Sequence, residues 1–286
     1  MFKSSPTDQT EVAMSVLQKL YAAMCLIIIA LPASAEIQST GQNYRKIIER
    51  GEIRIGISKH YPPLNFEAGK SGVEIEMAKE LGKFLGVRTT TVPLRLTDYL
   101  SAIESGKVDI VMAGLSRNME RAKKIWFSEP YISMTPGVLA NRRRLPQTRF
   151  GDKFEQNPIR TIWDLKNISG FKFALKKRSA YEHLLAREFP DVQKIIVSTN
   201  EEGLQALKSG SAHGFVHDSL FLQYLYSHSS EYRGNYILLQ GGNRHEKICV
   251  GLPFGDPVLK NQIDVFIMEL IRQGRIDEWL EYYNSK

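Results

Sequence analysis

The residues of this chain best suited to chemistry lie at two places of opposite charge. In AGLSRNMERAKK, residues 113–124, Asn118 is of a type that caps a short helix, and Arg121 falls in the turn that follows. Arg121, Lys123 and Lys124 then sit near the positive end of the helix dipole, where each cation is disfavoured by roughly 0.3 kcal/mol or more. Stability alone favours Asp or Glu there. Arg121 is therefore read as kept to meet an anion, because a guanidinium grips a carboxylate with two parallel hydrogen bonds. A salt bridge to Glu129 and a solvated side chain are the plainer alternatives. At the second place Asp218 ends the apolar strand pattern of HGFVHD, residues 213–218, and either caps the following helix, Ser219 to Tyr226, or offers a carboxylate to a ligand cation. Together the cation and the anion match the two charges of a zwitterion. Charge-assisted hydrogen bonds of roughly 1.5–3 kcal/mol each would reward closure as well as binding.

For these residues to meet, the fold must bring two strand ends together. From Ile53 onward short apolar runs alternate with amphipathic stretches, the pattern of βαβ units and an α/β fold with largely parallel sheets. Strands are predicted at Ile53 to Ile57, Thr90 to Leu94 and Val108 to Ala113. Between them fall a helix with Met77, Ala78, Leu81, Phe84 and Leu85 on one face, closed by Gly86, and a second near Asp98 to Glu104. The order returns with strands at Phe171 to Leu175, Lys194 to Val197 and Ala212 to His217, and helices at Ala180 to Phe189 and Glu201 to Lys208. LSAIESGKVDIVMAG, residues 100–114, aligns without a gap on LQALKSGSAHGFVHD, residues 204–218, at a constant offset of 104. Two similar lobes are predicted. Ligands of open parallel sheets bind beyond the carboxyl ends of the strands, so Ala113-Gly114 and His217-Asp218 should face each other across a cleft.

The first 35 residues read as an export signal, with an apolar run from Tyr21 to Leu31 after Lys19 and the small-residue site Ala33-Ser34-Ala35. The run is too short for a membrane span, which needs about 20 residues. Met14 is the expected start of translation, and Met24 before Cys25 argues against a lipid anchor. Cleavage leaves residues 36–286, with Glu36 first and Cys249 the one cysteine, so no internal disulfide is expected. The formal net charge of +7 survives cleavage because Lys3, Lys19, Asp8 and Glu11 cancel. In an exported protein that charge points to solubility and attraction for anions, not to nucleic acid. Arg142-Arg143-Arg144 reads as a solvated connector. There is no GxSxG elbow, no phosphate-cradling loop and no histidine spacing suited to a metal.

Four segments then carry a family resemblance over residues 45–284: GEIRIGISKHYPPLNF (51–66), SGKVDIVMAGLSRNMERAKKIWFSEPY (105–131), LKSGSAHGFVHDSLFLQYL (207–225) and GDPVLKNQIDVFIMELIRQGRIDEWLEYY (255–283). In their order and spacing the chain resembles the bacterial extracellular solute-binding proteins of family 3, which serve polar amino acid ABC transporters. The resemblance implies a two-lobed periplasmic-binding-protein, or Venus flytrap, fold in which each lobe is a mostly parallel sheet flanked by helices. It implies that Arg121 holds the ligand α-carboxylate, helped by Ser116 and the Gly114 backbone, that Asp218 holds the α-ammonium, and that Tyr61 packs on the ligand. Lys176 and Ser179 of ALKKRSAYE (174–182) supply further polar contacts.

Glutamine-binding members look closest through His217-Asp218 and Lys176. Ser58, however, stands where such proteins place an aspartate that reads the ligand side chain, Leu96 replaces an aromatic, and Arg178 replaces a loop glycine. An acidic side chain is then nearly as plausible as an amide.

The expected protein is a monomeric periplasmic binder with no cofactor or metal, closing over a glutamine- or glutamate-like amino acid and presenting it to an inner-membrane ABC permease. Its lobes are expected at 36–134 plus 246–286 and at 135–245, with crossings near Ser133 to Leu139 and Asn243 to Cys249. The alternatives are an enzyme resembling cyclohexadienyl dehydratases, for which Glu182, His183, His217 and Glu246 are candidate acids, and a free-standing sensory protein.

Overall fold

The computed structural model describes residues 41–286 apart from 151–152, 157–158 and 243–244. The export signal, Met14, Cys25 and the start of the second expected crossing lie outside the described residues. The chain enters through α1 (Gln42–Arg50) and runs through β1 (Glu52–Ser58), α2 (Val73–Leu85), β2 (Arg88–Leu94), α3 (Tyr99–Glu104), β3 (Ile110–Val111), α4 (Met119–Ala122) and β4 (Trp126–Met134). It continues through β5 (Pro136–Asn141), the hairpin β6 (Gln147–Phe150) and β7 (Lys153–Gln156), then β8 (Lys172–Lys176), α5 (Ala180–Glu188), β9 (Gln193–Val197), α6 (Asn200–Lys208) and β10 (Gly214–Asp218). The last elements are α7 (Ser219–His228), α8 (Ser230–Asn235), β11 (Tyr236–Gln240), β12 (Glu246–Leu252), α9 (Pro257–Arg272) and α10 (Arg275–Asn284).

Local chemistry accounts for most of these elements. Ile53, Ile55 and Ile57 of β1 alternate onto one face and are fully buried. Met77, Ala78 and Leu81 bury the inner face of α2, and Gly86 closes it in the left-handed conformation at φ 69°. Phe84 departs from the predicted face: it remains 47% exposed and stacks its ring on Phe266 of α9. The strand predicted over 108–113 shortens to Ile110–Val111, because β3 meets β12 only at Val111 and Gly251, beside two register shifts in β12.

Two five-stranded mixed sheets result, in the orders β2-β1-β3-β12-β4 and β9-β8-β10-β5-β11. Read in this direction they correspond position by position. The first three strands of each are parallel, and the fourth and fifth form an antiparallel pair, the fourth running against the third. The fourth strands are exchanged. β5 follows β4 in the chain but joins the second sheet, and β12 follows β11 but joins the first, so the chain passes between sheets at Thr135 and again over residues 241–245. This is a two-lobed α/β fold, and its topology puts the ends of β3 and β10 at equivalent positions. No helix of the described residues is long and apolar enough to cross a membrane.

Candidate functional site

At the end of β3 the chain turns at Gly114 with φ 61°, and a Cβ there would lie 2.1 Å from Cε1 of Tyr61. Glycine therefore serves both the backbone and the close approach of the ring. Beyond it Asn118 caps α4 by accepting the Arg121 N–H at 2.9 Å, and the Arg121 side chain folds back into the protein, 8% exposed. Its Nη1 donates to the Ser116 carbonyl at 2.7 Å and its Nη2 to the Arg178 carbonyl of the second lobe at 3.1 Å. Among the described residues no ion pair joins it to Glu129. Burial lowers the Arg121 pKa, and the carboxyl of Glu246 opposes that fall.

Asp218 ends β10 and caps the helix that follows. Its Oδ1 caps α7 by accepting the Phe221 N–H at 2.8 Å, while its Oδ2 faces His217 Nδ1 at 2.5 Å and accepts the Tyr61 hydroxyl from the first lobe. The side chain is 1% exposed. Burial would raise its pKa, but His217, the Phe221 N–H and the Tyr61 hydroxyl bring it below the ordinary carboxylate value. Burial keeps the neighbouring imidazole below its own ordinary value.

Arg121, Asp218, Ser116, Gly114, Tyr61, Lys176, Ser179 and His217 all line one cavity between the lobes, of about 40 Å³. Ser58 does not: it is buried against the Tyr99 hydroxyl and lines an adjoining compartment. The Gly114 N–H, expected to help hold a carboxylate, donates instead to Glu74 Oε1 at 2.7 Å. Ser179 begins α5, yet its buried Oγ has no partner. Burial lowers the Lys176 pKa, opposed by Asp218 and Glu201. The walls thus carry a buried guanidinium, a buried carboxylate and an unpartnered hydroxyl, a set suited to a small zwitterion.

The sequence matches the model of the bacterial extracellular solute-binding proteins, family 3, over residues 53–286. The chain belongs to that family. It is 28% identical to the L-cystine-binding protein TcyJ of Escherichia coli strain K12 over 204 residues, covering 70% of this chain and 71% of TcyJ. It is 30% identical over 133 residues to the cyclohexadienyl dehydratase of Pseudomonas aeruginosa, covering 45% of this chain and half of the dehydratase. The crystal structure of the ancestral amino acid-binding protein AncCDT-1, a precursor of cyclohexadienyl dehydratase, superposes with a TM-score of 0.70 at 27% identity over 84% of this chain and 97% of that one.

In this family 3 protein three groups lie at or beside the cavity without having been placed there by local sequence patterns, although Glu246 was among the candidate acids of the enzyme alternative. Glu246 begins β12, accepts the Ser116 hydroxyl at 2.7 Å and is hydrogen-bonded by Tyr181; burial holds its pKa above the ordinary carboxylate value. Tyr181 lines the cavity itself. Glu74 lies fully buried in α2, bonded by the Gly114 N–H, the Tyr131 hydroxyl and the Asn65 amide, and burial pushes its pKa up to about 7. No motif marks an acid at such positions, because Gly114 and Ser116 lie 40 and 130 residues from Glu74 and Glu246.

Glu74 makes stability depend on pH. Its folded pKa is above the unfolded one, so between about pH 4.5 and 7 the native state holds a proton that the unfolded chain releases. The group's contribution is most favourable below that window and is lost as pH rises through it, by on the order of 3 kcal/mol in all. Glu74→Gln should remove this slope from denaturant unfolding curves measured at pH 5 and pH 8. A half-turn of the Asn65 amide would give the glutamine N–H an acceptor in Asn65 Oδ1, which has no partner in the native arrangement. An unchanged slope in the variant would refute the assignment.

Arg178 occupies φ 59°, a region that suits the glycine of the resembling proteins and costs other residues about 1 kcal/mol. Its Nη1 reaches the Thr97 carbonyl of the first lobe at 3.3 Å. Arg178→Gly is expected to leave the unfolding midpoint unchanged or higher while ligand dissociation, followed by stopped flow, accelerates about threefold to tenfold, as loss of one hydrogen bond implies. Unaltered dissociation would show that this bond does not hold the lobes together.

Proposed function

We propose that this protein is the substrate-binding component of an ABC transporter, closing its lobes over a polar α-amino acid, glutamine- or glutamate-like, and leaving it chemically unchanged. The observation that carries the reading is the burial of Arg121 from one lobe and Asp218 from the other on the walls of a single cavity. The guanidinium takes the α-carboxylate, helped by Ser116. Asp218, oriented by His217 and Tyr61, takes the α-ammonium, and Ser179 and Lys176 complete the polar lining. The lobes comprise residues 36–134 with 246–286, and 135–245. The protein works as a periplasmic monomer after removal of its signal, and its closed surface is what an inner-membrane permease recognises. The likeness to an ancestral amino acid-binding protein and to a cystine-binding relative supports this class of ligand. Calorimetric titration of the purified protein with the twenty amino acids tests it: one or a few polar amino acids should bind, and failure of all of them rejects it.

A second reading is favoured by Glu246, a half-buried acid with a raised pKa beside Arg121 and Ser116, together with the identity to a dehydratase. A carboxyl whose pKa lies above the ordinary carboxylate value is better suited to protonate a leaving group. Mass spectrometry of the incubated ligand separates the two, since a binder returns its ligand intact.

A further inference from the structure

Among the described residues no cation contacts the carboxyl of Glu74, which is fully buried in the first turn of α2. Its partners are three neutral donors from three other segments. Oε1 accepts the Gly114 N–H at 2.7 Å and the Tyr131 hydroxyl, and Oε2 accepts the Asn65 amide. Two of these donors lead to the first-lobe wall of the amino acid cavity. Asn65 and Tyr61 are joined by two backbone hydrogen bonds, at 2.8 and 2.9 Å, and Tyr61 lays its ring against Gly114 and its hydroxyl on Asp218. Gly114 starts the turn that leads to Ser116 and Arg121. One carboxyl thus ties the loop after β1 to the turn after β3, the two stretches from which the first lobe reaches a ligand.

The charge of Glu74 is felt on that wall, at Tyr61 and at Tyr99 of α3, both of which line the cavity. Burial raises the pKa of these two tyrosines, of Tyr131 on β4 and of Cys249 on β12, so all four are neutral at physiological pH. Glu76, on the same helix, turns instead to the Tyr283 hydroxyl. Both ionisation states of Glu74 find partners. The carboxylate takes all three donors, whereas a proton on Oε2 makes that oxygen a donor, which Asn65 Oδ1, otherwise without a partner, accepts after a half-turn of the amide. Protonation therefore breaks the Asn65 N–H bond and removes a negative charge from beside Tyr61.

We propose that Glu74 is a positioning residue for amino acid binding: as a carboxylate it holds Tyr61 and the Gly114 turn in place and adds negative charge on the side of the α-ammonium, so that ligand binding and Glu74 ionisation favour each other. This rests on the α-group clamp proposed above. Because the ligand favours the charged form, binding drives a proton off Glu74, and by reciprocity affinity rises as pH rises through its pKa of about 7.

Calorimetric titration with glutamine and with glutamate, neither of whose side chains titrates between pH 6 and pH 8, tests this. Wild-type affinity should rise about fivefold from pH 6 to pH 8. At pH 7 the heat should vary with the ionisation enthalpy of the buffer in the sense of proton release. Glu74→Gln mimics the protonated acid, so it should bind at both pH values with the wild-type affinity of pH 6 and lose the buffer dependence. Glu74→Asp keeps the charge but is one methylene too short for all three donors, and should bind about tenfold more weakly than wild type at pH 8. Where it folds poorly, the glutamine variant decides. Affinity and proton release unchanged in Glu74→Gln would mean a role in stability alone and overturn the proposal, while leaving the clamp intact. Failure of the wild type to bind either amino acid rejects the clamp itself.

Discussion

Arg121→Ala is expected to weaken ligand binding by at least about 100-fold in calorimetry, as loss of a buried two-pronged ion pair implies. The guanidinium is already in place before any carboxylate arrives. The Asn118 cap positions its backbone, and the Ser116 and Arg178 carbonyls hold its Nη1 and Nη2 at 2.7 and 3.1 Å. Little ordering entropy then remains to be lost on binding. The variant should keep its fold, because what is removed is a buried cation held by two backbone carbonyls and, among the described residues, by no ion pair, and its unfolding midpoint should shift by no more than about 5 °C. Arg121→Lys should fall between the two, retaining charge but not the planar fork. Wild-type affinity in Arg121→Ala would show that the carboxylate is held elsewhere.

Asp218→Asn is expected to have an effect of similar size, about 100-fold, and it separates binding from folding. The carboxylate that faces His217 and Tyr61 also caps α7 through the Phe221 N–H. Asparagine can still cap the helix, so stability is retained while the charge that attracts an α-ammonium is lost. Asp218→Ala should lose both, with an added stability cost of about 1 kcal/mol from the cap. Equal affinities for the aspartate and asparagine forms would place the ammonium at another carboxylate. Glu246 is the one to examine next, since it lies beside Arg121 and Ser116.

Both variants test residues that local pattern singled out, and the reason they were visible is physical. Asn118 and Asp218 cap helices as their types predict, within about three residues of their partners, whereas the helix that follows Asn118 is a single turn with Arg121 in its last turn, so the dipole conflict read for Arg121 is not present in α4. The offset of 104 between two similar segments extended that reach, because equivalent segments take equivalent places in their sheets. Ser58 illustrates the limit. It ends β1, one residue beyond the expected strand, and its hydroxyl meets Tyr99 while it lines the adjoining compartment.

The α/β class, the duplicated lobe and the opposed charges of Arg121 and Asp218 were thus determined by the sequence itself, through hydrophobic period, capping chemistry and internal repetition. Tertiary structure alone decided which groups share an enclosure with them. Exchange of β5 and β12 between the sheets brings Glu246 to Ser116, while α2 carries Glu74 to the Gly114 N–H that was expected to serve a ligand. These contacts join residues tens to more than a hundred positions apart, and their protonation follows from desolvation that exists only once the lobes are assembled. No local pattern encodes that, because the burial of a carboxyl is a property of everything packed around it.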